Sequence, residues 1–268
     1  MQPEGLVLGL NGPMGPVWRG STTAEKQLGR KCCWRVAGRH PAKYHAGTMT
    51  NLNIEQARFN MIEQQIRTWD VLDMHILDVL TRTPREEFVP DAHRALAFAD
   101  IQIPIGHGQT MLHPKMEGRI LQTLAIKPTD RILEIGTGSG YLTACLTKLG
   151  SHVDSVDIHA DFIDSAAPKL AAHTLGNLTL ASGDAAAGWS QGAPYDVIVI
   201  SGSLPVAVPA FQQQLAPDGR LFMVTGAAPA MQAWLITRVG ANDFSRECLF
   251  ETVLTPLINA EQAPQFTL

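Results

Sequence analysis

Cysteine is scarce in this 268-residue chain, with four in all: Cys32, Cys33, Cys145 and Cys248. Two are adjacent and two fall in apolar segments, which is no disulfide framework, and a reducing cytoplasm is the expected setting. Cys32 and Cys33 with His40 and His45 lack the spacing of a zinc site, so no metal is expected there. Long hydrophobic runs are also missing. None approaches the roughly 20 residues of a membrane span, and the apolar opening "GLVLGLNGPMGPVW" is broken by Gly and Pro with no basic region before it, unlike a secretory signal. Charge is low at 17%, against 45% hydrophobic residues, which describes a globular chain and excludes disorder throughout.

The charges are unevenly placed. Residues 1–48 carry seven Lys/Arg and two Asp/Glu, leaving 14 against 23 for the remainder. An acidic main body argues against a duplex nucleic-acid partner. The first 48 residues are rich in Gly, Pro and basic side chains without periodicity and read as a disordered extension. Met49, where the texture changes, is an alternative start, which would make those residues translated upstream sequence. Residues 49–268 form the expected single domain, a helical cap over 49–128 and a sheet over 129–268.

In the cap, Ile54, Ala57, Met61, Ile62 and Ile66 recur at helical spacing, and "MHILDVLTRT" is a second helix stopped by Pro84. From Arg131 onward, apolar strands alternate with helices: "RILEI", "HVDSVDI", "NLTLA", "YDVIVI" and "GRLFMVTG" are strands, separated mostly by helical segments. That alternation predicts an α/β fold, a Rossmann-like doubly wound, mostly parallel sheet. "QAWLITRVG" and "RECLFETVLTPLI" follow with no helix between them and predict an antiparallel edge.

The sharpest chemical signal is "RILEIGTGSGY". Gly136, Gly138 and Gly140 follow a strand and open a helix, where a nucleotide can approach the backbone and a helix N-terminus. Tight strand-to-helix turns use the same glycines without binding anything. Asp157 ends the next strand, placed to accept hydrogen bonds from two ribose hydroxyls, and Asp184 follows the third, placed to hold an adenine edge. Either Asp taken alone also suits a helix N-cap or a turn. NAD and S-adenosylmethionine both remain candidates at this point. The GxGxG spacing differs from the dinucleotide GxGxxG, and a carboxylate at Glu134 would repel a pyrophosphate. It would instead attract the ammonium and sulfonium of adenosylmethionine, directly or through water, so this cofactor is preferred.

"GHGQTMLHPKM", residues 106–116, reads as a loop because of its glycines, its polar side chains and Pro114. Met111 and Leu112 within it suggest a pocket wall. His107 between two glycines reads as loop-shaping, His113 as solvated, Lys115 as a surface lysine, and Trp69, Trp189 and Trp234 as core or pocket wall.

Seven segments, "EEFVP", "ALAFADIQIPIGHGQTM", "LEIGTGSGYL", "VDSVDI", "GDAAAGW", "APYDVIVI" and "QLAPDGRLFMVTG", together resemble the protein-L-isoaspartate O-methyltransferases in order and spacing over roughly residues 54–257. The resemblance implies transfer of a methyl group from S-adenosyl-L-methionine to the side-branch carboxylate of isoaspartyl residues in damaged proteins. The ester then cyclises to a succinimide and reopens in part to aspartate. The implied partner is an isoaspartyl peptide or protein met by a cytoplasmic monomer, with neither nucleic acid nor membrane involved.

Two positions depart from the family pattern. After Gln109 and Thr110 the family has Ile, an active-site Ser, a variable residue and Pro; here Met111, Leu112, His113 and Pro114 stand there. Ala185 replaces the usual Gly after Asp184. The substrate loop is thus expected at Gln109–His113, with no catalytic side chain assigned and no metal. A changed acceptor, or cofactor binding without transfer, are the other functions compatible with Leu112.

Overall fold

The computed structural model describes residues 51–174 and 176–262. The segment 1–48, with its expected disorder, and Met49 lie outside them.

Helix α1 (Asn51–Met61) runs into a wider turn over Ile62–Ile66 and a tight one over Arg67–Trp69, burying Met61, Ile62 and Ile66 as their spacing requires. Asp73 caps α2 (Met74–Arg82) by accepting from the His75 N–H at 2.8 Å. Pro84 ends that run, and the short α3 (Arg85–Phe88) follows. Strands β1 (Ile103–Gly106) and β2 (Gln109–Met111) then pair antiparallel, and α4 (Pro114–Leu124) completes the cap.

Here the expected loop over 106–116 needs correction. It comprises a hairpin turn at His107–Gly108, a strand and the first turn of a helix. Pro114 begins that helix instead of excluding one, because its missing N–H falls among the first-turn donors that have no intrahelical partner. His113 before it is extended, as the proline ring demands.

The sheet contains β3 (Arg131–Ile135), β4 (His152–Asp157), β5 (Leu178–Ser182), β6 (Tyr195–Leu204), β7 (Leu215–Ala227), β8 (Ala230–Arg238) and β9 (Phe244–Thr252), in the order β5-β4-β3-β6-β7-β8-β9. The first five of that order are parallel; β8 and β9 add antiparallel at one edge, as the sequence predicts. Helices α5 (Tyr141–Thr147), α6 (Ala160–His173) and α7 (Pro209–Gln213) make the crossovers. Central strands are covered on both faces, so Ile132, Leu133, Val197, Ile198, Val199 and Ile200 are all fully buried and their sequence runs apolar without alternation. The outer strand β9 exposes Arg246 and Glu247, charges that discourage further strand addition. Trp69, Trp189 and Trp234 are half-buried. Among the described residues no helix is long and apolar enough to cross a membrane.

Candidate active site

The sheet order reverses at β3, which has β4 on one side and β6 on the other. Ligands of open parallel sheets bind in the crevice beyond the carboxyl ends of the strands at such a reversal. An open cleft lies there. Its walls come from the turn after β3, the ends of β4 and β5, Ser201 and Gly202 of β6, the β1–β2 hairpin and the segment Leu254–Ile258.

The turn after β3 is held from two sides. Ser201 Oγ donates to the carbonyl oxygens of Ile135 (2.9 Å) or Gly136 (2.8 Å), and Asp157 Oδ2 accepts the Gly138 N–H at 2.9 Å. Gly136 has φ +94° and a Cβ there would collide with Ser201 Oγ, so only glycine lets the chain leave β3 this close to β6. Gly136 and Gly138 line the cavity; Gly140 does not. The latter starts α5 and abuts Ala166 and Leu170 of α6, which makes it a helix-packing glycine.

Asp157 lies on the wall at the end of β4 with 7% of its surface exposed, and its Oδ1 accepts the His159 N–H at 2.9 Å. Each carboxylate oxygen keeps a second lone pair for a hydroxyl. Asp184 is exposed, accepts from the Ala186 N–H and from Asn259 Nδ2, and stands next to the buried Ala185, which forms wall.

Glu134 is placed differently from the expected cation-facing position. Its side chain is fully buried behind the cavity wall, with Oε2 accepting from Thr143 Oγ1 (2.5 Å) and Ser155 Oγ (2.6 Å) and Oε1 buried without a partner. Period-2 alternation turns it to the opposite side from the apolar residues flanking it. Burial pushes its carboxyl up to about 7, opposed by the two hydroxyl donors.

On the facing side, Gln109, Thr110, Met111 and Leu112 line the cavity, and the last two are buried. His113 is outside the wall, its Nδ1 3.3 Å from Asp100 Oδ1. Lys115 is engaged rather than free: its Nζ pairs with Asp100 Oδ2 at 2.6 Å and sits 4.7 Å from the Trp69 ring centroid. His107 forms the hairpin turn at φ +50° and bonds Asp161 Oδ2 through Nε2 at 2.7 Å, in keeping with a loop-shaping part.

Sequence reasoning missed Arg85 and Glu117. Arg85 is completely buried; it forms an ion pair with Glu117 Oε2 and donates to the carbonyls of Ala97 (3.0 Å) and Leu112 (2.6 Å). Glu117 lines the cavity, and burial raises its carboxyl while the adjacent Arg85 guanidinium pulls it back down. A signal was present: Glu117 shares its helical face with Ile120, Leu121 and Leu124, and a carboxylate in an apolar stripe needs a buried partner. No metal was expected from the sequence, yet the fold brings His107, His159 and Asp161 together.

A mostly parallel sheet with a glycine turn, strand-end carboxylates and a cleft at the reversal point defines a Rossmann-like nucleotide-binding fold, which the relatives narrow to the S-adenosylmethionine-dependent methyltransferases. The family model for protein-L-isoaspartate(D-aspartate) O-methyltransferase matches residues 56–262, and the chain belongs to that family. It is 38% identical over 205 residues to protein-L-isoaspartate O-methyltransferase 1 of Rhodopseudomonas palustris (strain HaA2), covering 76% of this chain and 84% of that one. With the protein-L-isoaspartate O-methyltransferase of Pseudomonas aeruginosa (strain LESB58) it shares 40% over 186 residues, covering 69% and 88%. The fold is also that of a Plasmodium falciparum structure described as a beta-aspartate methyltransferase in complex with S-adenosyl-L-homocysteine, with a TM-score of 0.65, 17% identity and coverage of 76% and 98%.

Proposed function

We propose that the chain methylates the side-branch carboxylate of L-isoaspartyl residues in damaged proteins, using S-adenosyl-L-methionine. The observation that carries this reading is the cavity itself, with the glycine turn, Asp157 and Asp184 on one wall and the hairpin residues Gln109–Leu112 on the other.

The cavity's chemistry suits the cofactor. Asp157 and Asp184 offer acceptors to ribose hydroxyls and an adenine edge, while Ala185 and Ala186 give a flat apolar wall. When bound, adenosylmethionine supplies an electrophilic methyl group. The acceptor carboxylate ionises near pH 4, so it reaches the site already nucleophilic and needs neither a base nor a Lewis acid. The chain's contribution is to hold the acceptor in line and keep water away. Met111 and Leu112 exclude water, and Arg85 fixes the Leu112 backbone from behind. A carboxylate oxygen forms the new O–C bond as the S–C bond breaks, giving the methyl ester. Cyclisation then expels methanol, and water opens the succinimide.

A second reading, a changed acceptor, is favoured by one specific observation. Leu112 offers no hydroxyl, and Glu117 places a carboxyl in the same wall, which suits an acceptor less acidic than isoaspartate. Labelled methyl transfer to an isoaspartyl peptide and its aspartyl twin separates the two. Base-labile label on the isoaspartyl peptide alone is expected. Label on neither overturns the repair function and leaves the changed acceptor or binding without transfer.

A further inference from the structure

Away from the methyl-transfer chemistry, at the rim of the same cavity, three metal-ligating side chains converge from two elements. His107 is at the tip of the β1–β2 hairpin; His159 immediately precedes α6, and Asp161 is in its first turn. His107 Nε2 is 2.7 Å from Asp161 Oδ2, and the two imidazoles stack with centroids 4.0 Å apart and planes 12° from parallel. One potential ligand atom from each of the three lies within 4.8 Å of the others. Phe162 packs edge-on against both rings, at 5.3 and 5.1 Å.

A hydrogen bond between His107 and Asp161 would account for two of these residues but not the third. His159 Nε2 is buried and has no hydrogen-bond partner, and a buried ring nitrogen left without one is costly. The side chains of His107 and Asp161 are 44% and 65% exposed, which gives an ion a route in from solution.

We propose that His107, His159 and Asp161 form a site for a zinc-class divalent cation that ties the hairpin to the start of α6. Two imidazoles and one carboxylate are a borderline donor set, preferred by Zn²⁺ and Cu²⁺ over the oxygen-seeking Mg²⁺ and Ca²⁺. With a water as fourth ligand they complete a tetrahedron, whose donor atoms stand about 3.3 Å apart for metal–ligand distances of about 2.0–2.1 Å. An ion ligated by both imidazoles lies near both ring planes, so binding turns the His107 and His159 rings out of their present parallel stack.

The ion would be a staple and not a reactant. Ile105, Gln109, Thr110 and Met111 of the hairpin form the acceptor-side wall, while His159 lines the cavity two residues after Asp157. A cation held between them joins the acceptor wall to the cofactor wall at the cavity mouth.

The test uses the full chain, titrated with Zn²⁺ by calorimetry and with Co²⁺ by absorption spectroscopy, alongside His107→Ala and Asp161→Asn. Both substitutions are at accessible positions, and unchanged far-ultraviolet circular dichroism confirms that they fold. Expected are a Zn²⁺ site of micromolar or tighter affinity in the parent, weakened at least tenfold in each variant, Co²⁺ bands without thiolate charge transfer, and no response to Mg²⁺. Zn²⁺ that binds parent and variants alike, a thiolate band from cysteine ligands, or no binding at 100-fold molar excess overturns the site.

Discussion

Arg85 Nη2 donates to the backbone carbonyl of Leu112 at 2.6 Å across 27 residues of sequence. The same guanidinium holds Ala97 and Glu117, so one buried cation joins the segment between α3 and β1, the exit of the hairpin and α4 beneath the acceptor wall. A hairpin of two short strands has little stability of its own, and this anchor supplies what its strand pairing lacks.

Arg85→Met is expected to destabilise the protein by about 3–5 kcal/mol, because it leaves the Glu117 carboxylate and two carbonyls buried without their donor. Arg85→Met combined with Glu117→Gln should recover a sizeable part of that loss. Denaturant unfolding of the parent, both single variants and the pair measures it; a pair no more stable than Arg85→Met would show that the carboxylate is not the cause.

Asp157→Ala is expected to weaken adenosylmethionine binding by about 1.5–3 kcal/mol, the range for a charge-assisted hydrogen bond. The carboxylate also accepts the Gly138 and His159 N–H groups, so Asp157→Asn, which keeps one acceptor oxygen, should fall between parent and Ala. Calorimetry reads both. Affinity unchanged in Asp157→Ala removes Asp157 from the cofactor site.

Glu134 gives a pH dependence of stability with a definite sign. Its carboxyl titrates near 7 in the fold and near 4.3 when unfolded, so the folded state binds the extra proton between those values. The contribution is fully present below the lower pKa and is lost as pH rises through about 7, amounting to about 4 kcal/mol. Unfolding free energies of the parent should therefore decline relative to Glu134→Gln between pH 5 and 7.5. A constant difference between the two proteins across that range would contradict it.

These residues also show what a sequence can and cannot reveal. Period and alternation were enough to place the parallel sheet and its antiparallel edge, because the central strands are buried on both faces and are built mostly from apolar side chains. Gly136, Asp157 and Asp184 were legible as residues of the cleft wall because each stands at or just past the end of its own strand. Glu134 and the hairpin were not. Which face a strand residue takes depends on the layers packed against it, and three-residue strands carry too few side chains to show a period. Arg85 and Glu117 are 32 residues apart, and His107 is 54 residues from Asp161, a proximity that only the tertiary fold creates.

The acceptor wall supplies the last prediction. Leu112 is 6% exposed and lines the cavity where the family pattern has a serine. Its backbone is fixed by Arg85 whatever its side chain, so Leu112→Ser introduces a hydroxyl without releasing the hairpin. A hydroxyl there can donate to the acceptor carboxylate, a contact of about 1–3 kcal/mol, of which the part realised in the transition state raises kcat/KM on isoaspartyl peptides. Cofactor affinity should stay nearly unchanged, since Asp157 and Asp184 lie on the other wall. Steady-state kinetics with an isoaspartyl peptide and calorimetry with adenosylmethionine measure the two effects separately. A flat or lower isoaspartyl rate in Leu112→Ser, together with efficient methylation of a different acceptor by the parent, would mean that Leu112 and Glu117 have fitted this wall to another substrate.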